Sequence, residues 1–281
     1  MISEEQKRFF EVFGFLCLRR HFTEQEMQRL RAKAEYILDQ DLQGQSAPLA
    51  ERQQVNGFVE RDSDLASLIE DDRVYEIAEA TLGKNFVWIG SDGNRYLGDT
   101  GWHPDGSNFD YTRIKFLFYL DSLQRNTGAL RVIPGSHLPM FHSILFPLIQ
   151  RSDSSITAYG VRAPKRHDPN ASGFGCASFD IPSVAIETNP GDMVIFNQNI
   201  WHSSFGGRPG RLMFTMSFGE CPRNEEDLTY LRTMYEGQLR HIKERQFTTA
   251  SHVYGNTFLS GAWGPRIAEI SRTLRSLEPP E

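Results

Sequence analysis

Arg113-Ile114-Lys115-Phe116-Leu117-Phe118-Tyr119-Leu120 alternates strictly between two kinds of side chain. Ile114, Phe116, Phe118 and Leu120 fall on one face of an extended chain, and Arg113, Lys115, Leu117 and Tyr119 on the other. One wholly apolar face and one mixed face predict a strand set between a packed core and a polar cavity. Shorter strand patterns flank it at 86–89, 95–97, 129–133, 184–187, 193–196 and 211–219. Turn residues separate them, among them Asn126-Thr127-Gly128, Pro134-Gly135 and Asn189-Pro190-Gly191. Many short strands joined by turns, after a helical N-terminal section, predict a mainly β fold with flanking helices. The expected architecture is a double-sheet jelly roll, the cupin-like double-stranded β-helix.

The helices carry their own signals. Ser3-x-x-Gln6 and Thr23-x-x-Glu26 read as capping boxes opening helices through about residue 12 and over 24–40. Phe15-Leu16-Cys17-Leu18 reads as a short buried strand between them. Residues 63–82 read as one helix closed by Gly83, and 224–247 and 265–276 as C-terminal helices. Two stretches lack a period: 41–62, read as solvated loop, and 139–185, read as an insertion at the mouth of the site or a surface excursion. The chain is expected to form a single domain over 1–281, with a helical section 1–83, a jelly-roll core 86–220 and C-terminal helices 224–281.

Composition excludes several classes. The net charge of −6 gives no basic surface for nucleic acid. No apolar run reaches membrane-spanning length, and the acidic start Met1-Ile2-Ser3-Glu4-Glu5 is unlike a signal peptide. Three scattered cysteines, an odd number, suit reduced thiols, so a cytoplasmic location is expected.

The chemistry concentrates in Trp102-His103-Pro104-Asp105-Gly106. His103 and Asp105, two residues apart, project to the same side of an extended segment. Two imidazoles and one carboxylate form the facial triad of non-haem iron oxygenases, and His202 in Trp201-His202-Ser203-Ser204 supplies the second imidazole. A lone His-x-Asp is weak, since a turn aspartate and a core histidine explain each part separately. Arg211, nine residues past His202 and opening a strand, strengthens the joint pattern by offering a planar fork for a carboxylate.

These residues resemble the phytanoyl-CoA dioxygenase family of Fe(II)/2-oxoglutarate-dependent oxygenases. The likeness runs through His103-Pro104-Asp105, Phe118-Tyr119-Leu120-Asp121, the stretch Asn126 to His137 with Pro134-Gly135-Ser136-His137, then Pro190-Gly191-Asp192, His202 and Arg211. It extends weakly to Phe13-Gly14-Phe15-Leu16. The resemblance implies a double-stranded β-helix that binds Fe(II) through His103, Asp105 and His202. It also implies 2-oxoglutarate held by Arg211 and by the Ser204 hydroxyl, and O2 as co-substrate. Tyr119 is a further co-substrate contact by strand parity. Between His202 and Arg211 the chain runs a couple of residues shorter than the family pattern, so Arg208 stands as a rival to Arg211. A carboxylate at Asp105, where related halogenases leave a vacancy, argues against halogenation. Nothing in the sequence indicates a coenzyme A thioester.

Asn108, Phe109 and Arg113 are the candidate contacts for a small-molecule substrate, following directly on the metal motif. Arg113 and Lys115 also admit a plainer reading as charges on an exposed strand edge. Two alternatives stand beside the oxygenase: a cupin-like metal-dependent isomerase or epimerase, and a non-catalytic ligand-binding barrel. Succinate release separates the first of these from the oxygenase. Oligomeric state is not legible in the sequence.

Overall fold

The structure is a computed structural model that describes residues 2–42, 44, 52–150, 178–244, 253–254, 258, 260 and 262–277. In chain order the elements are α1 (Glu4–Phe13), β1 (Phe15–Leu18), α2 (Glu24–Asp41), β2 (Gln53–Asn56), α3 (Ser63–Glu70), α4 (Asp72–Leu82) and β3 (Val87–Tyr96). Then come β4 (Thr100–His103), β5 (Arg113–Tyr119), β6 (Leu130–Val132), α5 (Pro139–Gln150), β7 (Val184–Ile186), β8 (Met193–Asn197), β9 (His202–Ser204) and β10 (Arg211–Gly219). Helices α6 (Glu225–Glu244), α7 (Pro265–Ile270) and α8 (Arg272–Leu277) follow.

The strands form two antiparallel sheets, a larger one in the order β1-β8-β5-β10-β3-β2 and a smaller one in the order β4-β9-β6-β7. This is the jelly roll expected. Strand β5 lies inside the larger sheet, paired on one side with β10 and on the other with β8. Arg113 and Lys115 are therefore not edge charges, which corrects that reading. The alternation along β5 holds as read. Ile114, Phe116 and Phe118 pack into the outer core with Phe22, Met27 and Leu65 of the helical layer. On the other face Leu117 and Tyr119 meet Leu130, Val132 and Ile186 of the smaller sheet. Burying an aromatic ring of this kind contributes about 2–3 kcal/mol, so the outer face of β5 anchors the helices and the inner face closes the barrel.

Local chemistry sets the helix ends. Ser3 and Thr23 both make the reciprocal capping boxes expected of them. Gly14 closes α1 at φ 81°, a left-handed conformation that glycine adopts freely, and turns the chain directly into β1.

Several expectations are corrected. Residues 63–82 are two helices, because Asp71 sits extended at ψ 129° and caps α4 with its own carboxylate. The expected strands at 86–89 and 95–97 are one strand, β3, which pairs with β10 along its whole length, with a register shift between Ser217 and Phe218. The stretch 41–62 is not all loop: among its described residues β2 pairs with β3, and a short 3-10 helix spans Val59–Arg61. Likewise 139–185 contains α5, a 3-10 turn at Ser178–Asp180 and β7, while 151–177 lie outside the described residues. The helix read over 265–276 breaks at Ser271 into α7 and α8.

Glu60, in that 3-10 turn, is buried beneath β3. It accepts hydrogen bonds from Trp88 Nε1 at 2.9 Å and from the Ser91 hydroxyl. Burial, outweighing these hydrogen bonds, pushes its carboxyl up to about 7 from an ordinary 4.5. A raised carboxyl favours the fold fully below the unfolded value. That contribution drains away as pH rises from 4.5 through 7, because only the unfolded chain ionises freely there. At roughly 1.4 kcal/mol per pH unit, the whole loss is about 3 kcal/mol. A Glu60→Gln variant has no proton to lose. Its stability relative to wild type, from denaturant titrations, should therefore rise by about that amount between pH 4.5 and pH 8. A flat difference across that range would show that Glu60 does not titrate there.

Candidate metal centre

Strands β4 and β9 bring His103 and His202 directly opposite each other, and Val132 of β6 pairs with His202 from the other side. Opposed residues share a face, so the two imidazoles lie side by side inside the barrel, with ring centroids 4.3 Å apart. Asp105 sits just past β4, in a loop pinned by two hydrogen bonds. The backbone N–H groups of Asp105 and Gly106 both donate to Gln198 O, at 2.9 and 3.0 Å. Arg113 Nη2 donates to Asp105 O at 3.3 Å, and its guanidinium also lies over the Tyr230 ring. A Cβ on Gly106 would come within 2.2 Å of that Nη2, so a larger residue there would displace the guanidinium from the loop it braces.

The hydrogen bonds of the imidazoles fix their tautomers. His103 Nδ1 lies 2.8 Å from Gly101 O, and His202 Nδ1 lies 3.0 Å from Ile200 O. A carbonyl only accepts, so each Nδ1 carries the proton and each Nε2 presents a lone pair. The two Nε2 atoms stand 3.8 and 3.9 Å from Asp105 Oδ1. The three donors lie within 4.8 Å of one another. Two atoms bound to one ion at ~2.1 Å can be no more than about 4.2 Å apart, and both Nε2–Oδ1 separations satisfy that limit. Two neutral imidazoles and one carboxylate therefore fit a single borderline divalent ion.

Electrostatics agree with this arrangement. Burial, helped by the neighbouring His103, pushes the His202 imidazole down to about 3, and burial also lowers His103. Both stay neutral ligands near pH 7. Burial opposes ionisation of Asp105, yet Lys115 and the two imidazoles hold its carboxyl well below the ordinary range. Lys115 Nζ is 2.6 Å from Asp105 Oδ2. Burial opposes its charge, but Asp105 and Asp92 raise the ammonium above its ordinary value.

Arg211, at the start of β10, is 4% exposed, and no carboxylate pairs with it among the described residues. Its guanidinium donates instead to three carbonyls: Arg208 O at 3.1 Å, Gly128 O at 3.1 Å and Gly98 O at 2.6 Å. It lies over Tyr96, its partner across β3. Five N–H donors less three used leave two for an anion. Arg208, by contrast, is exposed and paired with Asp121 at 2.9 Å. Asp121 also accepts from Leu212 N at 2.8 Å, which fixes the start of β10. Ser204 is buried on β9, opposite Leu130 and on the same face as His202. Tyr119 is buried on the same inner face of the larger sheet, opposite Met213 and one pair along from Arg211. Burial raises its phenol well above the ordinary value.

The three candidate substrate contacts have different surroundings, though Asn108 O accepts from Asn199 Nδ2 at 2.7 Å close to the loop that Arg113 braces. Asn108 Oδ1 accepts from Asp110 N at 2.9 Å, closing a turn. Phe109 is exposed and meets the edge of His142 on α5, whose ring in turn faces Trp201. Arg113 is buried against the metal loop. His137 Nε2 lies 3.1 Å from Glu11 O, at the end of α1. Its neighbour Ser136 accepts from Trp201 N at 2.8 Å, one residue before His202. Sequence reasoning missed Lys115, Tyr96 and Asp92 as neighbours of the site. The period of two along β5 does put Lys115 on the face of Leu117 and Tyr119. Nothing in the sequence alone places Asp92 or Tyr96.

A two-sheet barrel with an inward His-Asp-His trio and a buried, unpaired arginine is the architecture of the mononuclear metal oxygenase class. The sequence matches the description of the phytanoyl-CoA dioxygenase (PhyH) family over residues 10–209, and the chain belongs to that family. No curated protein matches the chain by sequence. Solved structures share its fold. The carbocyclase SnoK from nogalamycin biosynthesis, described as non-haem and α-ketoglutarate-dependent, aligns with a TM-score of 0.56 at 20% identity, over 78% of this chain and 84% of its own. HygX from Streptomyces hygroscopicus, solved with nickel and 2-oxoglutarate bound, gives 0.58 at 16% identity, over 78% and 87%. The epimerase SnoN, also from nogalamycin biosynthesis and α-ketoglutarate-dependent, gives 0.55 at 14% identity, over 77% and 83%. No helix among the described residues is long and apolar enough to cross a membrane.

Proposed function

We propose that this protein is an Fe(II)/2-oxoglutarate-dependent oxygenase that oxidises an unactivated C–H bond of a small organic substrate. The observation that carries the reading is the convergence of two Nε2 lone pairs on one Asp105 oxygen at 3.8 and 3.9 Å. Fe(II) would be held by His103, His202 and Asp105, and when bound it couples oxidative decarboxylation of 2-oxoglutarate by O2, giving succinate and CO2, to substrate oxidation. The chain's own residues prepare that site. Gly101 O and Ile200 O orient the two imidazoles, and Gln198 O fixes the loop that carries Asp105. Arg211 takes the distal carboxylate of 2-oxoglutarate with its two spare N–H donors. The Ser204 hydroxyl adds a donor, and Tyr119 walls the same pocket. Phe109 and Asn108 border the mouth, while Arg113 acts by bracing the loop of Asp105. Hydroxylation is the simplest outcome, and the carbocyclase and epimerase among the structural neighbours show how widely product type varies on this fold.

The test is succinate formation from 2-oxoglutarate by the Fe(II)-loaded chain in air, screened over small organic substrates. Metal-dependent isomerisation of a substrate without succinate would move the protein to the cupin-like isomerase reading. Binding without turnover would leave a ligand-binding barrel. Arg208 supplies an internal control. Being exposed and already paired with Asp121, it should be dispensable. Arg208→Ala should leave the KM for 2-oxoglutarate within about twofold of wild type, as expected for loss of a surface pair. A rise of a hundredfold would transfer the carboxylate role from Arg211 to Arg208.

A further inference from the structure

The two oxygens of Asp105 face different groups. Oδ1 is the one near both imidazole nitrogens, while Oδ2 is held by Lys115 Nζ at 2.6 Å. Lys115 reaches this position from the middle of β5, with its side chain only 18% exposed. The other acid within its electrostatic reach is Asp92, which already accepts from Thr215 Oγ1 at 2.5 Å and lies 3.7 Å from Arg52 Nη2. Among the described residues Asp105 is thus the one carboxylate in contact with the Lys115 ammonium.

We propose that Lys115 is a positioning residue that makes the metal bind weakly alone and tightly only together with the dianionic 2-oxo acid. This rests on the Fe(II)/2-oxoglutarate reading of the site. The ammonium holds Oδ2, so the carboxylate meets the ion through Oδ1 alone. It also neutralises the carboxylate before any ion arrives, so a divalent ion gains less from Asp105 and adds like charge to a buried pocket. A dianion entering next is attracted by both cations. Metal and 2-oxo acid therefore tighten each other's binding, by the same factor in each direction.

The experiment titrates the full-length chain with Co(II), whose visible absorption reports coordination, with and without saturating 2-oxoglutarate. Wild type is compared with K115M, K115Q and K115R. K115Q keeps an N–H donor for Oδ2 but drops the charge; K115R keeps the charge. K115M and K115Q should each bind Co(II) alone about tenfold more tightly than wild type. With saturating 2-oxoglutarate, Co(II) should tighten by a similar factor in both, so the coupling between the two ligands stays near its wild-type value, with K115R near wild type throughout. Circular dichroism and thermal unfolding check that each variant folds; should K115M fail, K115Q and K115R decide. Co(II) affinities within twofold of wild type in K115Q, or weaker binding there, overturn the proposal while the metal reading stands. A wild-type chain that takes up no Co(II) overturns both.

Discussion

A His202→Ala variant is expected to bind Fe(II) at least about a hundredfold more weakly than wild type and to release succinate on the order of a thousandfold more slowly. The size of the effect follows from where His202 sits. It is buried on β9, an inner strand of the smaller sheet between β4 and β6, with its ring against Phe196 as well as His103. Among the described residues, its Nε2 is one of three donors that converge. Alanine leaves a two-donor site whose remaining members, His103 and Asp105, are already partly satisfied by Gly101 O and Lys115. The buried environment admits no side chain to replace the imidazole. The direct check is anaerobic titration with Fe(II) and 2-oxoglutarate. Wild type should develop a weak visible charge-transfer band, and the variant should not. A variant that keeps the band at wild-type Fe(II) concentrations would remove His202 from the ligand set.

The second large effect concerns Arg211. Arg211→Lys should raise the KM for 2-oxoglutarate by about a hundredfold, since an ammonium cannot present the planar two-point contact of a guanidinium. The more telling variant leaves Arg211 in place. A Cβ on Gly207 would fall 1.9 Å from Arg211 Cζ, in the centre of the guanidinium. Gly207→Ala must therefore push the guanidinium out of its cradle of carbonyls. It should reproduce most of the KM increase while leaving Fe(II) affinity within about threefold of wild type, because no metal donor moves. Steady-state kinetics in 2-oxoglutarate, paired with metal titration, read the two quantities separately. An unchanged KM in Gly207→Ala would mean that this guanidinium position is not the one that holds the co-substrate.

Much of this was legible in the sequence because it was periodic or local. The alternation of Arg113 to Leu120 gave both faces of the central strand, and the capping boxes gave two helix starts. His103 and Asp105 could be paired because two residues of extended chain put them on one side. What escaped was non-local. Asp71 divides a helix that looks continuous by periodicity, because a carboxylate that caps its own next turn competes with propagation. Strand β2 has too few residues to show a pattern, and only its pairing with β3 creates it. α5 lacks an amphipathic signature because its sequence, Pro139 to Gln150, is apolar nearly all round. Among the site residues, the alternation left Lys115 open to two readings, on a cavity-facing side or at a strand edge, and only the pairing of its strand on both sides decides between them.

One irregularity bears on how such a centre arises. Thr100 lies opposite Ser204 and His103 opposite His202, so β4 spends three steps where β9 spends two. The supernumerary residue is a bulge, and it alone determines which side chain of β4 looks inward. In a regular ladder Trp102 would stand across from His202, with an indole where the imidazole now is. The loss of a single codon between Thr100 and His103 would remove the extra step and leave the histidine still across from His202, now in a regular ladder. Closing the bulge with no loss of sequence would instead turn the imidazole away and put the indole in its place.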